Sequence, residues 1–214
     1  MADFRKGCTA LALILLLSGV TTPAISATSQ FVQATLAKGV KVSIPRSWHV
    51  LSGGEMVAVN TSAEAALDLT GIATVSMGQE TLLAAALPDP NLYASVTVTV
   101  TPMPRASAST VALMRDNEIQ EVFSSLRTGI EVSQRNLGTK ISQWSPIAKV
   151  KVGARSALFV SYVRSSEAGD TIVQLYKFSG AGRLYDVALS TRVAMIKLNQ
   201  PVMQRIVRSL VIPD

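Results

Sequence analysis

The sequence predicts an α+β fold in which an antiparallel β-sheet, built largely as a meander, is flanked by helices. Three observations lead there. Strand-like runs follow one another in the C-terminal half without intervening helices, which is the order of an α+β fold and not the alternation of a parallel α/β sheet. Loops of three to five residues containing glycine join those runs, the length and chemistry of hairpins. Two amphipathic segments, one central and one C-terminal, supply helices to cover a sheet whose meander carries apolar residues on both faces.

The first element is an address. Arg5 and Lys6 precede the apolar run Leu11, Ala12, Leu13, Ile14, Leu15, Leu16, Leu17, and Ile25-Ser26-Ala27 ends on a small residue. This is the pattern of a secretory signal peptide cleaved between Ala27 and Thr28. The alternative is an uncleaved anchor, but the run is short of the roughly 20 residues that span a bilayer. Cys8 lies ahead of the apolar run, the wrong place for a lipid-modified N-terminus. Removal of the leader would leave 214 − 27 = 187 residues, one domain over 28–214, and would take the only cysteine with it. A cysteine-free chain suits an oxidising compartment such as a periplasm.

The remaining elements follow in order. Residues 28–38 are expected to be a polar lead-in that frays. The alternation Val40, Lys41, Val42, Ser43, Ile44 predicts a half-buried strand ended by Pro45, with a turn carrying Trp48 and His49. Short elements are expected at 56–60 (strand) and 62–69 (helix); the segment 72–91 is ambiguous, and 80–87 would serve as a short helix. Val96, Val98 and Val100 alternate with Ser and Thr in the clearest strand of the chain. Ile119, Val122, Phe123, Leu126 and Ile130 recur at helical spacing, predicting a helix from Ser109 or Thr110 to about Thr128 with Gly129 as its stop. A strand is expected over 140–144. A meander over 147–152, 156–164, 171–178 and 184–190 follows, turning at Gly153, Gly169 and Gly180–Gly182. Asn199-Gln200-Pro201 is read as the start of the last helix, with Val202, Ile206, Val207 and Leu210 as its buried stripe.

Two stretches resemble the PsbP/Mog-like superfamily. The opening Gly39-Val40-Lys41-Val42-Ser43-Ile44-Pro45-Arg46-Ser47-Trp48 is similar to its "strand, Pro, small residue, Trp" start. The close, from Tyr162 through Gln174-Leu175-Tyr176-Lys177-Phe178 and Tyr185 to Arg205-Ile206-Val207-Arg208-Ser209-Leu210, is similar to its terminal hairpins and last helix. The resemblance covers about half of the expected mature chain and rests on structural, not catalytic, residues. It implies an antiparallel sheet between helices and a role in binding other macromolecules.

The census of chemistry is mostly negative. One His and one Cys exclude a Cys/His zinc cluster and an H-E-x-x-H site. No G-x-S-x-G, P-loop or G-x-G-x-x-G motif occurs in the sequence, so no nucleophile elbow or phosphate cradle is announced. No cofactor is expected, and no enzyme activity. His49 is the one imidazole, and a general base is its sharpest reading. Strand alternation instead places it on the wetter side of a turn whose Trp48 anchors the core. Asp116, Glu118 and Glu121 could hold a cation, but a solvated helix face accounts for them. Asn60-Thr61-Ser62 matches a glycosylation sequon that a bacterial export context leaves unused.

Charge is distributed unevenly. Residues 28–144 carry 8 basic and 9 acidic side chains, whereas 145–214 carry 10 basic and 4 acidic. Lys149, Lys151, Arg155 and Arg164, with Trp48, His49 and Trp144, form the expected ligand or partner surface. A one-sided basic surface would draw an anionic envelope surface or an acidic protein; strand alternation would instead divide the charges between faces. A nucleic acid partner is not expected, since few aromatics are present to stack bases. The expected function is that of an exported periplasmic binding or accessory protein with a protein partner in the cell envelope. The alternatives are a small-ligand or lipid-binding protein, with Trp48, His49 and Trp144 at a pocket mouth, and a weak hydrolase.

Overall fold

The computed structural model describes residues 30–51, 78–89, 91–165 and 169–214. The expected leader with its Ala27–Thr28 junction, the elements expected at 56–60 and 62–69, and the sequon lie outside the described residues, as do Glu167 and Ala168 of the expected turn.

The strands, in chain order, are β1 (Phe31–Thr35), β2 (Lys41–Pro45), β3 (His49–Val50), β4 (Glu80–Ala86), β5 (Ala94–Pro102), β6 (Lys140–Trp144), β7 (Ala148–Val152), β8 (Arg155–Ser165), β9 (Thr171–Gly180) and β10 (Arg183–Arg192). The helices are α1 (Thr110–Leu113), α2 (Asp116–Asn136) and α3 (Ile196–Arg208). Eight strands form one antiparallel sheet in the order β3-β4-β5-β10-β9-β8-β6, with β7 beside β6 along the outer edge of β8. β1 and β2 form a separate pair. The expected meander is therefore present, β8, β9 and β10 pairing in sequence across tight turns.

The sheet is apolar on both faces because successive side chains of a strand point to opposite sides. On one face Val96, Val98 and Val100 of β5, Phe178 of β9, and Tyr185, Val187 and Leu189 of β10 are buried. Val40, Val42 and Ile44, along β2, close over them together with Met203, Ile206 and Val207 of α3. On the other face Leu158, Val160 and Leu175 meet Val111 of α1 and Ile119 of α2. Each large side chain so buried is worth about 1.5–3 kcal/mol relative to exposure.

Four expectations need correction. Residues 28–38 do not simply fray, because Phe31–Thr35 pairs with β2 from Phe31↔Pro45 to Thr35↔Lys41. Residues 80–87 form a strand, not a helix. Glu80–Ala86 pairs with β5, with a register shift between Thr81 and Leu83 that turns both Leu82 and Leu83 inward. Burial against β5 outweighs the helix propensity of Leu and Ala, which is a weak prior. The central helix neither begins at Thr110 nor stops at Gly129. The chain breaks at Met114–Arg115 between α1 and α2, and α2 runs on to Asn136. Gly129 lies on an open face with nothing near its Cβ position, while Gly138, at φ +69°, ends the helix. The last helix begins at Ile196, so Pro201 is inside it. Pro201 is exposed and close to the start, where it forgoes one backbone bond to the Lys197 carbonyl.

The chain beyond α3 straps the layers together. Lys41 and Val211 exchange backbone hydrogen bonds of 3.0 and 2.9 Å on the side of β2 away from β1. Ser209 Oγ accepts from the Ser43 N–H at 2.8 Å and donates to the Ile206 carbonyl at 2.7 Å. Arg155 donates to the Ile212 carbonyl at 2.8 Å and pairs with the Asp214 carboxylate. Gly180 makes this approach possible, since a Cβ there would lie 2.2 Å from the Pro213 carbonyl oxygen. Gly180→Ala is expected to push the strap off the end of β9 and to cost about 1–3 kcal/mol, as overpacking does. Urea unfolding of the two proteins measures it.

Candidate functional site

Two apolar grooves open on opposite faces of the sheet, each at the margin of the layer that covers it. The first is a groove of about 520 Å³ between α1, the start of α2 and the ends of β8, β9 and β10. Val111, Val122, Leu158 and Leu184 line it, Met103 and Met114 flank it, and Glu118 and Glu121 stand at its rim. Leu113 forms its lip with 76% of its surface exposed. The break after α1 leaves that side chain outside. Lys149 holds the break in place, its Nζ donating to the Ala112 and Met114 carbonyls at 2.9 and 2.7 Å, where a cation meets the end of a helix. Glu118 accepts from the Arg115 N–H at 2.7 Å and from its Nη2 at 3.0 Å, and the Arg115 bonds hold its carboxyl below the usual range. On the floor, Lys177 Nζ lies 2.7 Å from both carboxylate oxygens of Asp186, its cross-strand neighbour. Its charge is therefore neutralised within the sheet, and that of Glu118 is met by Arg115, which leaves Glu121 as the rim carboxylate in no ion pair among the described residues.

The second groove, of about 540 Å³, lies between the start of β1, the turn after β2, the end of β4 and the first turns of α3. Trp48 is buried in its wall, with Phe31, Pro45, Leu87 and Val202 around it and Leu198 on the rim, 61% exposed. The turn is braced by Arg46 N–H to the Gln30 carbonyl at 2.8 Å and Trp48 N–H to the Pro45 carbonyl at 3.1 Å. Among the described residues Arg46 is the one charged residue lining it.

The sequence-predicted site residues are distributed as follows. Trp48 belongs to the cluster under β2 and α3, Trp144 packs with the cluster under α2, so the sheet separates them. His49 is exposed on the edge strand β3, opposite Ala86, and does not line the Trp48 groove. Lys149 and Lys151 share one face of β7, opposite Leu158 and Ser156. Arg155 turns to the other face, toward the C-terminal strap. Arg164 stands nine residues further along β8, about 30 Å at about 3.3 Å per residue, with its Nη1 3.4 Å from Gln134 Oε1. The four cations are thus brought together only as the pair Lys149 and Lys151. Arg46, Met103, Leu113 and Leu198 were not singled out in the sequence. The reading of 109–128 as one helix hid the break that exposes Leu113.

Trp144 serves the α2 interface. Its Nε1 donates to Glu131 Oε1 at 3.1 Å, and Arg127 Nε donates to the same oxygen at 2.7 Å. Phe123 meets its ring edge-on at 5.8 Å and Tyr162 lies at 4.9 Å between centroids. The Arg127 bond, then the indole N–H, hold the Glu131 carboxyl below its ordinary range against the opposing effect of desolvation. Burial pushes the Tyr162 hydroxyl up.

Among the described residues no three His, Cys, Asp or Glu side chains gather as a metal site. Among the same residues no helix is long and apolar enough to cross a membrane.

No family model matches the chain, and no curated protein matches it. Solved structures do. A Bacteroides thetaiotaomicron crystal structure matches at 10% identity and TM-score 0.44, over 82% of this chain and 45% of that one, so the chain spans under half of its length. The solution structure of PsbP from the cyanobacterium Synechocystis is similar at 9% identity and TM-score 0.47, over 86% and 92% of the two chains. The Ran-binding protein Mog1p of Saccharomyces cerevisiae is similar at 8% identity and TM-score 0.44, over 85% and 95%. These are likenesses of chain path, from which no family, site residue or activity is carried over.

Glu131 gives a pH-dependent signature. A carboxyl whose folded pKa is lowered stabilises the fold above its unfolded value, ordinarily 4.5, and loses that contribution as pH falls through the folded value. Glu131→Gln is expected to be less stable than the parent at pH 6, with the difference shrinking below pH 4.5. Urea melts followed by tryptophan fluorescence check it.

Proposed function

We propose that this chain is an exported, non-enzymatic accessory domain of the cell envelope, spanning 28–214, that holds a protein partner in the groove beside α1. The observation that carries the reading is Leu113, exposed at the lip of an apolar groove. Apolar clefts with a few polar groups at the edge are the usual form of binding sites. Met103 and Met114 give this one walls that adapt to an inserted side chain. Glu118 and Glu121 favour a partner segment with Lys or Arg beside its apolar anchor. The N-terminal charge and apolar pattern supports export, and on this reading the partner lies in the periplasm or outside the cell.

Two measurements test this. N-terminal sequencing of the protein recovered from the periplasm is expected to begin at Thr28; a chain beginning at Met1 in the membrane fraction would remove the export reading. A photo-crosslinking residue at Leu113 is expected to capture one protein in cells, and one at the exposed Arg208 of α3 is not. Leu113→Glu should weaken the captured interaction at least tenfold in a purified binding assay while leaving the melting temperature within a degree or two. Equal capture from both positions counts against the groove.

A further inference from the structure

We infer that the Trp48 groove is a second, separate binding site, for a single-chain amphiphile with a carboxylate head. Its lining has two parts. Phe31, Pro45, Trp48, Leu87, Leu198 and Val202 present apolar surface from four different elements. Among the described residues Arg46 supplies the only charge, and no carboxylate lines the opening. Among the described residues the Arg46 side chain takes part in no ion pair, and it is exposed at the rim. A guanidinium offers a planar pair of donors that matches a carboxylate. One positive charge over an apolar trough therefore matches one negative charge on an apolar chain.

The walls are held in place without a ligand. Pro45 ends β2, and the backbone bonds of Arg46 and Trp48 fix the turn that carries the guanidinium. Asn199 is anchored by its Nδ2, which donates to the Leu92 carbonyl at 3.0 Å and to Thr191 Oγ1 at 2.8 Å, fixing the first turns of α3 against the sheet. Arg205 lies over the Phe31 ring at 4.1 Å, which holds that ring. The volume of about 540 Å³ falls within the roughly 300–1,000 Å³ of small-molecule sites. The contrast with the other groove sharpens the assignment. There each rim charge has an opposite one near it, Glu118 with Arg115 and Lys177 with Asp186, and Glu121 is the carboxylate left over, whereas here the charge among the described lining residues is the unpaired Arg46.

The test uses the purified full chain and three probes with the same tail: dodecanoate, dodecanol and dodecyltrimethylammonium, each below its micelle concentration. Calorimetry is expected to show one saturable site for dodecanoate, at least tenfold tighter than for dodecanol, and none for the ammonium probe. Arg46→Gln should reduce dodecanoate affinity about tenfold, the scale of one charge-assisted bond, and leave dodecanol unchanged. Leu113→Glu should leave all three titrations unchanged, which separates this site from the α1 groove. Because Arg46 is exposed, its replacement is expected to leave urea unfolding as in the parent. Equal affinity for dodecanoate and dodecanol overturns the inference. So does an unchanged dodecanoate affinity in Arg46→Gln, or the absence of a saturable site.

Discussion

A sheet that is apolar on both faces cannot present either to water, and this constraint organises the rest of the molecule. Leu158, Val160 and Leu175 require cover on one side; Phe178, Tyr185, Val187 and Leu189 require it on the other. α1 and α2 supply the first cover, and β2 with α3 the second. The second cover is assembled from the two ends of the described chain, so it holds only if those ends are tied. The strap after α3 does this, bonding β2 through Lys41 and Ser43 and reaching Arg155 at the start of β8. Arg155, expected to face a partner, is therefore spent on carbonyls of the protein itself, with Ser179 as a further acceptor at 3.2 Å.

Both grooves arise where a cover runs out before the sheet does. Beside α1 the chain breaks at Met114–Arg115, and the short helix leaves Leu113 outside while the floor stays apolar. Beside α3 the turn after Pro45 brings Trp48 in and leaves Arg46 out. The two openings share size and apolar lining but differ in local charge: beside α1 Glu118 and Lys177 are paired and Glu121 is left over, whereas beside α3 the unpaired group is the cation Arg46. That difference, not the net charge of the chain, separates what each can hold, since local charge acts over about a Debye length of 8–10 Å.

Much of the fold was legible because period-two alternation is a strong local signal. Val96, Val98 and Val100, and the glycine turns of the meander, led directly to β5 and to the order β8-β9-β10. The Ala/Leu run at 80–87 misled because a short apolar run does not distinguish a strand from a buried helix segment; pairing with β5 decides it. Gly129 resembled a helix stop, but stops need a left-handed residue at the right place, and Gly138 holds it. Pro201 resembled a helix start, but the preceding turn at Val193–Met195 lets the helix begin earlier. Trp48 could be read as buried from its place after a Pro turn. Its separation from Trp144 could not, because the two lie 96 positions apart and on opposite faces of a sheet.

The class of fold, the chain of hairpins, the excess of basic residues after Trp144 and the exclusion of a Cys/His zinc cluster are legible in the sequence alone. These are set by residue counts and by periodicities spanning a few neighbours. Only the tertiary structure decided where those basic residues went. Lys149 turns to a helix end, Arg155 to the strap, Arg164 to Gln134 and Lys177 to Asp186, so four of those ten basic side chains are engaged within the protein itself. It also decided that Leu113 and Arg46, unremarkable in the sequence, stand at the openings, because exposure at a groove depends on where two covers end, and chain segments far apart in sequence set those ends.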